Sequence, residues 1–160
     1  MNIQWYMGRK KKPHGEGAQA CLDVKGCPSA LLAEEVVRTI RGKVYYREYR
    51  IREEEWLELR RAVGRHCPRM LADLYANKGI TKGMARVCLL TFLGFRVKEV
   101  SVFMGTSIQS VSNMRQDACR LLFGDDTART LRRHLEERYE QREPPLSPPV
   151  VGGREVSSEP

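Results

Sequence analysis

The segment VKEVSVFMGTSIQSVSNMRQDACRLLFG, residues 97–124, contains the pattern from which the fold can be predicted. Its first eight residues predict two turns of helix with an apolar inner face, and Gly105 then interrupts the helix. With Thr106 or Ser107 as N-cap, a second helix over residues 107–122 carries one apolar stripe at three- and four-residue steps. Two short helices joined by a tight glycine turn are the arrangement of a helix-turn-helix. The stripe consists of Ile108, Val111, Met114, Ala118 and Leu121.

The other face of the second predicted helix is polar and almost uncharged. Solvated helical faces are usually rich in Lys and Glu, whereas Ser, Gln and Asn predominate here, and these side chains can bond to base edges. Cationic and hydroxyl side chains beside them can hold phosphates. The residues expected to face bases are Gln109, Ser110, Ser112, Asn113 and Gln116. The residues expected to face phosphates are Arg96, Lys98, Thr106, Ser107, Arg115 and Arg120.

A third helix is predicted immediately before this pair. Thr81 can cap it, Gly94 ends it, and its apolar surface is so broad that it must be buried from several sides. Over residues 80–124 six cationic side chains oppose two acidic ones, which gives +4 of the chain's net charge of +8. Half of the net charge therefore lies in this segment, which favours a polyanionic partner. The apolar residues of the helix are Val87, Cys88, Leu90, Leu93 and Phe95.

Residues 81–124 resemble the helix-turn-helix domains of LuxR-type regulators and, equally, region four of bacterial sigma factors. The resemblance is closest to the C-terminal DNA-binding domain of bacterial transcriptional regulators that end in a Ser-Val-Ser-Asn recognition helix and a Leu-Phe-Gly stop. With a lead-in around Glu55-Trp56 and residues 71–75, it covers residues 53–139. The matching motifs are Cys88-Leu89-Leu90 to Leu93-Gly94-Phe95, Lys98-Glu99-Val100, Gly105-Thr106-Ser107, Ser110-Val111-Ser112-Asn113 and Leu122-Phe123-Gly124.

The resemblance implies sequence-specific binding of double-stranded DNA and control of transcription. Residues 107–122 would be the recognition helix and residues 97–104 the supporting helix. The chain departs from the family pattern at two positions. Such domains usually carry Glu three residues after the capping Thr, but Met84 follows Thr81 at that distance, so the reciprocal capping box is absent. The small Ala often found after the Glu-Ile pair is Ser101 here.

Upstream, residues 29–79 form a predicted helical lead-in. Ser29 can cap a first helix that Gly42 ends, the acidic run at residues 53–55 suits the start of a second, and Pro68 precedes a short third helix. Between the first two helices, the tyrosine- and arginine-rich segment 44–51 is compatible with a strand or a loop, and both alternatives stay open. The apolar residues expected to face inward are Leu32, Val36, Val37, Ile40, Trp56, Leu59, Val63, Met70, Leu71, Leu74 and Tyr75.

A last helix is predicted from Asp125 or Asp126 to about residue 141, which completes a helix-turn-helix domain over residues 80–142. Its stripe can pack back onto its own domain or form a homodimer seam through residues 126–141. Four apolar positions are too few for a coiled coil, which puts the intramolecular alternative ahead. These positions are Ala128, Leu131, Leu135 and Tyr139.

The two ends have the composition of mobile segments. Residues 1–28, with a basic run at residues 9–12, predict a flexible basic arm, and the Pro/Gly/Ser-rich residues 143–160 predict a disordered tail. Between them the recurring pattern is helical. The sequence therefore predicts an all-α fold, a small helical bundle that contains the helix-turn-helix.

The composition narrows the function classes. In 160 residues with five cysteines, the cysteines cannot all pair, no CxxC occurs, and no apolar run approaches the length that spans a bilayer. We therefore expect a cytoplasmic protein of one domain that does not enter a membrane. His14, His66 and His134 are scattered, and neither a glycine-rich phosphate loop nor an activated cysteine is recognisable. No metal, no cofactor and no enzymatic activity are expected.

Double-stranded DNA is the expected partner, and two alternatives remain. An adaptor could dock on RNA polymerase or another regulator through the same helical domain without reading DNA. A plain helical bundle could also show this spacing, because it is a general way to pack three helices. A sigma-like factor that itself recruits polymerase is disfavoured, since no companion domain for promoter melting is recognisable.

Overall fold

The structure is a computed structural model that describes residues 26–140, and its regular elements are all helical, which confirms the predicted all-α bundle. Most of the predicted basic arm and the whole predicted tail lie outside the described residues. None of these helices is both long and apolar enough to cross a lipid bilayer. The helices are α1 (Ser29–Ala33), α2 (Glu35–Gly42), α3 (Glu53–His66), α4 (Pro68–Ala76), α5 (Lys82–Phe92), α6 (Val97–Met104), α7 (Ile108–Phe123) and α8 (Leu131–Tyr139), with a 3-10 turn (Ala128–Thr130) before α8.

Helix α5 forms the centre of the second half of the bundle, where it packs against α6, α7 and α8. No side chain over residues 87–93 is more than 2% exposed, so this helix is enclosed on all sides, as its broad apolar surface predicts. The Thr81 hydroxyl caps it by accepting a hydrogen bond from the Met84 amide at 3.2 Å. Gly94, with φ of +88°, turns the chain after it.

The lead-in helices and the helix-turn-helix segment share one hydrophobic core. Buried residues from Cys27 to Tyr139 belong to the same cluster, and polar contacts at its edge join the two halves. The Tyr139 hydroxyl donates to the Asp73 carboxylate at 2.6 Å. Arg86 lies over the Trp56 ring, 4.6 Å from its centre, and pairs with Glu53 at 2.7 Å. The lead-in is therefore packed into the same body as the helices that follow it.

The first lead-in helix differs from the prediction. Ser29 is its first helical residue rather than its cap, and the helix breaks at Glu34 into α1 and α2. At the break the Glu34 carboxylate bonds to the His66 ring at 2.8 Å and pairs with Arg65 at 2.9 Å. These partners are more than thirty residues away in the chain, so local sequence could not predict the break.

Three residues, one at the start of the described region and two at predicted apolar positions, also lie elsewhere than the sequence predicted. Gly26, which the sequence assigns to the arm, lies against the backbone of α8 at Glu136, because it has no side chain to prevent that approach. Tyr75 is exposed and carries Arg60 on its ring, 4.1 Å from the ring centre, instead of facing inward. Leu121 is exposed and covers Gly79 at the far end of α7.

The last helix packs within its own chain. Leu131, Leu135 and Tyr139 are buried, and the Tyr139 ring meets Phe92 of α5 edge-on with ring centres 6.4 Å apart. The helix starts later than predicted, because residues 125–130 form a capping turn and a 3-10 turn first. The apolar stripe is thus accounted for by intramolecular packing, the alternative favoured from the sequence.

The segment 44–51, left open between strand and loop, forms turns and loop. It leads into α3 over a buried carboxylate, Glu55, which accepts hydrogen bonds from the Arg52 amide at 2.9 Å and the Lys43 ammonium at 3.3 Å. Burial by itself opposes ionisation of Glu55. Hydrogen bonds from the Arg52 amide and the Lys43 ammonium help to outweigh burial, and the pKa of Glu55 is lowered to about 2.

Replacing this carboxylate by an amide should expose its contribution to stability. Because the folded pKa of about 2 lies below the reference value of 4.5, ionised Glu55 stabilises the fold above about pH 5, and this stabilisation is lost as the pH falls towards 2. We expect Glu55→Gln to lower the free energy of unfolding at pH 7 by about 3 kcal/mol, with a smaller difference at lower pH. Chemical denaturation at several pH values measures this. Glu54→Gln, at an exposed neighbouring position, is the control and should match wild type; an unchanged pH dependence in Glu55→Gln would contradict the prediction.

Candidate nucleic-acid interface

The turn between α6 and α7 occupies residues 105–107. Gly105 has φ of +64°, in the left-handed region that favours glycine, and its amide donates to the Val102 carbonyl at 3.1 Å. Ser107 then caps α7 by accepting a hydrogen bond from the Ser110 amide at 3.0 Å. The structure thus contains the two helices, the glycine turn and the serine cap predicted from the sequence.

The outer face of α7 carries the residues predicted to face bases. Gln109 and Asn113 are exposed one helical turn apart, and the Gln109 amide nitrogen donates to the Asn113 side-chain oxygen at 2.8 Å. The other three residues predicted to face bases, Ser110, Ser112 and Gln116, are half-buried. None of the five belongs to the hydrophobic core, so a partner can reach this surface.

Two side chains at the start of α7 have roles that the sequence did not indicate. The Ser107 hydroxyl donates to the Ser110 hydroxyl at 2.9 Å, so Ser110 takes part in the cap. Ile108, expected in the apolar stripe, is 48% exposed beside Gln109. An exposed apolar side chain at this end of a recognition helix can contact a thymine methyl group. Its helical spacing predicted a place in the core, and only the structure shows that the other residues of 26–140 leave about half of its side chain exposed.

Groups that can hold phosphates lie at the two ends of α6. Arg96 and Lys98, at the start of α6, are exposed and form no ion pair within the described part of the chain. The Arg96 amide donates to the Glu99 carboxylate at 2.7 Å, which fixes this end of α6. Ser107 is exposed and Thr106 is half-buried. The two hydroxyls therefore lie at the N-terminal end of α7, whereas the two cations lie at the far end of α6, about 12 Å along that helix from the turn.

The other two arginines expected to face phosphates are placed differently. Arg115 shares a side of α7 with the buried Val111 and Cys119, four residues before and after it, and its Nε atom is buried without a hydrogen-bond partner among residues 26–140. Burial lowers the pKa of Arg115. Arg120 is exposed but bonds to the Asp126 carboxylate. A phosphate would have to displace that carboxylate from Arg120, and at Arg115 it would meet a half-buried side chain.

A loop outside the predicted domain also reaches this site. We call residues 43–52 the tyrosine–arginine loop. The Arg50 guanidinium lies over Gly105, so close that a Cβ atom there would be 2.7 Å from Arg50 Nε. A shallow cleft of about 600 Å³ separates the loop from the turn and is lined by Arg47, Glu48, Arg50, Ser101, Val102, Gly105 and Thr106. The abundance of Tyr and Arg could have marked this segment as a candidate binding surface. Nothing in the sequence indicated that the loop folds against the turn.

One group of side chains within residues 26–140 has the composition of a metal site. The ligand atoms of Cys119, Asp125 and His134 all lie within 4.8 Å of one another. Both carboxylate oxygens of Asp125 are used inside the chain, one by the Thr127 amide at 3.0 Å and the other by His134 at 2.8 Å and Thr130 at 2.7 Å. The hydrogen bond from His134 and those from the threonines hold the pKa of Asp125 well below its usual range. This geometry fits a capping network that ties the end of α7 to α8.

The cysteine thiols within residues 26–140 are buried, and none has the lowered pKa of a reactive thiol. Cys27, Cys67, Cys88 and Cys119 are free and buried. Burial raises the pKa of Cys88 to about 12 and that of Cys67 to about 11. A nucleophilic cysteine needs a lowered pKa and access to substrate. These residues act as small hydrophobic side chains of the core.

No family model, no curated protein and no solved structure matches this chain. The case for a function therefore rests on the site itself, namely the outer face of α7, the turn at Gly105 and the cations around it.

Gly105→Ala and Gly124→Ala form a matched pair that tests the contact of Arg50 with the turn. Both glycines have positive φ, +64° and +70°, so an alanine at either position should lower the free energy of unfolding by about 1 to 2 kcal/mol. A Cβ atom at Gly124 meets nothing within 4 Å, whereas one at Gly105 must displace the exposed end of Arg50. Because that end is flexible, we expect similar losses by chemical denaturation. A much larger loss for Gly105→Ala that disappears in an Arg50→Ala background would show instead that Arg50 is rigidly packed.

Proposed function

We propose that the chain is a DNA-binding transcriptional regulator that reads a specific sequence of double-stranded DNA with α7 in the major groove. The residues proposed to face bases are Gln109, Ser112, Asn113 and Gln116, with Ile108 beside them. Arg96, Lys98, Thr106 and Ser107 are proposed to face phosphates, together with Arg120 once it leaves Asp126. Control of transcription would then follow from occupancy of the site on DNA.

The observation that carries the proposal is the exposed amide pair at the start of α7. The Gln109 and Asn113 side chains lie on the outer face within the first two turns after the Ser107 cap. The N-terminal residues of a recognition helix are those that reach base edges, and amide side chains are suited to adenine. The charge distribution agrees, because Arg96 and Lys98 stand unpaired at the start of α6, the helix that would cross the sugar–phosphate backbone.

The proposal places the protein in the cytoplasm of a bacterium, where chromosomal DNA is directly accessible. Four buried free thiols agree with a reducing compartment. The family implied by the resemblance has the same function. Of its Ser-Val-Ser-Asn motif, the two serines and Asn113 lie on the exposed side and flank of α7, whereas Val111 is buried in the core.

An adaptor that docks on RNA polymerase or another regulator is a second candidate, which one observation favours. On the lead-in helices, Leu57 and Tyr75 are exposed, and Arg60 lies on the Tyr75 ring with 4.1 Å to its centre. Exposed apolar and aromatic side chains around an arginine are typical of protein interfaces. This patch belongs to α3 and α4 and is separate from the outer face of α7.

Titration of the purified chain against random-sequence DNA duplexes at two salt concentrations separates the two candidates. A DNA-binding protein should show saturable binding that weakens as salt rises, with a slope of about −0.9 in log K against log salt for each phosphate neutralised. An adaptor should show no such binding. In that case Tyr75→Ala should instead reduce capture of RNA polymerase.

Asn113→Ala and Lys98→Ala test the division of labour within the site. On a sequence selected from random DNA, Asn113→Ala should cost about 1 to 3 kcal/mol and relax the choice of base, because an adenine contact is lost. Lys98→Ala should weaken all sequences alike and reduce the salt slope by about one unit. Fluorescence anisotropy with selected and random duplexes measures both effects.

Two controls match these variants. Lys78→Ala removes an exposed lysine near Leu121, at the opposite end of α7, about 20 Å along the helix from Ile108. Thr39→Ala removes an exposed polar side chain of α2. Both should bind like wild type. Equal losses on selected and random DNA for Asn113→Ala would refute its role in reading bases, and a loss confined to selected DNA for Lys98→Ala would refute its role as a phosphate contact.

A further inference from the structure

The tyrosine–arginine loop is held in a fixed position beside the turn. The Ile51 amide donates to the Phe103 carbonyl of α6 at 3.1 Å, and the Tyr49 ring meets the Phe103 ring edge-on with centres 5.8 Å apart. Ile51 is buried in the core. One side of the loop is therefore bound to the supporting helix, and the other side is open.

The open side combines aromatic and cationic side chains. Tyr45 is 89% exposed and Tyr46 is 65% exposed, and neither contributes its ring to the core. Of the cations, Lys43 and Arg52 pair with Glu55, whereas Arg47 and Arg50 are exposed and form no ion pair with the residues that the structure describes. The loop thus presents two tyrosines, two guanidinium groups that form no ion pair within residues 26–140, and one carboxylate, Glu48, in the same cleft.

The position of these groups relative to α7 suggests their occupant. Arg50 lies over Gly105, two residues before the Ser107 cap, and Arg47 lines the same cleft with the Thr106 side chain. When the N-terminal end of a recognition helix enters the major groove, the groups beside it come to the edge of the groove, where the phosphates lie. Arginine pairs with phosphate through two hydrogen bonds, and tyrosine hydroxyls donate to phosphate oxygens.

We propose that the tyrosine–arginine loop is a second DNA contact, in which Arg47 and Arg50 bind phosphates of the strand that borders the groove occupied by α7, and Tyr45 and Tyr46 lie along the same strand. This inference rests on the proposed function, because it requires α7 to bind DNA. The loop contacts the backbone rather than bases, so it raises affinity for every sequence and leaves the choice of sequence to α7. The lead-in segment thereby becomes part of the DNA-binding surface.

The experiment compares the full-length chain with Arg47→Ala/Arg50→Ala on selected and random duplexes over a range of salt. The double variant should bind both duplexes at least about tenfold more weakly, with an unchanged ratio between them and a salt slope reduced by about two units. Hydroxyl-radical footprinting should show lost protection of the backbone on one side of the site only. The control, Arg61→Ala/Arg69→Ala, removes two exposed arginines from the later part of α3 and the start of α4 and should keep the wild-type slope and footprint.

Because Arg50 packs on the turn, Arg47→Glu alone provides a variant in which that contact is intact. It should weaken both duplexes in the same proportion. If the wild type binds duplex DNA and Arg47→Ala/Arg50→Ala keeps the same affinity and salt slope as the control, the loop proposal is overturned and the proposed function stands. Absence of duplex binding by the wild type would overturn both. If the double variant binds DNA like the wild type but no longer captures an acidic protein that the wild type captures, the loop binds that protein, and the proposal is also overturned.

Discussion

Phe103 connects the parts of the molecule on which the site depends. Its side chain is buried, its ring meets Phe95 and Tyr49 edge-on with centres 5.2 and 5.8 Å apart, and its carbonyl accepts the Ile51 amide. Edge-on aromatic pairs of this kind add about 0.5 to 1.5 kcal/mol each to the free energy gained by burial. Gly105 follows two residues later, so the chain leaves α6 directly after this packed residue. The position of the tyrosine–arginine loop thus depends on both the ring and the backbone carbonyl of Phe103.

The features that local sequence predicts well are those with local causes. The bounds of α6, the turn at Gly105 and the caps at Thr81 and Ser107 follow from glycine conformation and side-chain bonds within three residues, and all agree with the structure. The break at Glu34 has partners in α3, and the loop at residues 43–52 takes its place from Phe103, so neither could be predicted from its own sequence. Arg115 lies between these cases, because its four-residue spacing from Val111 and Cys119 already indicates the buried side of α7, although its charge favoured the surface.

Net charge alone would not have located the interface. Of the six cations in residues 80–124, Lys82 and Arg86 pair with Glu53, Arg120 pairs with Asp126, and Arg115 lies partly in the interior. Arg96 and Lys98 remain, and both lie at the start of α6. The unpaired Arg47 and Arg50 lie at the other end of α6, beside the turn, and come from a different part of the sequence. Internal ion pairs therefore engage three of the six cations in residues 80–124, and unpaired cations stand at the two ends of α6.

The hydrogen bond between Gln109 and Asn113 limits what base contacts alone can contribute. To bind adenine with both of its polar groups, Asn113 must give up the bond from Gln109, which is worth about 0.5 to 1.5 kcal/mol, while a good contact to a base discriminates by about 1 to 3 kcal/mol. The net gain from reading one base is therefore small for a single short helix. Under the proposed function, most of the affinity must come from phosphates, and α7 itself offers few free cations because Arg115 is half-buried and Arg120 bonds to Asp126. The proposal therefore requires cations from neighbouring elements, and in this fold those elements are the start of α6 and the tyrosine–arginine loop.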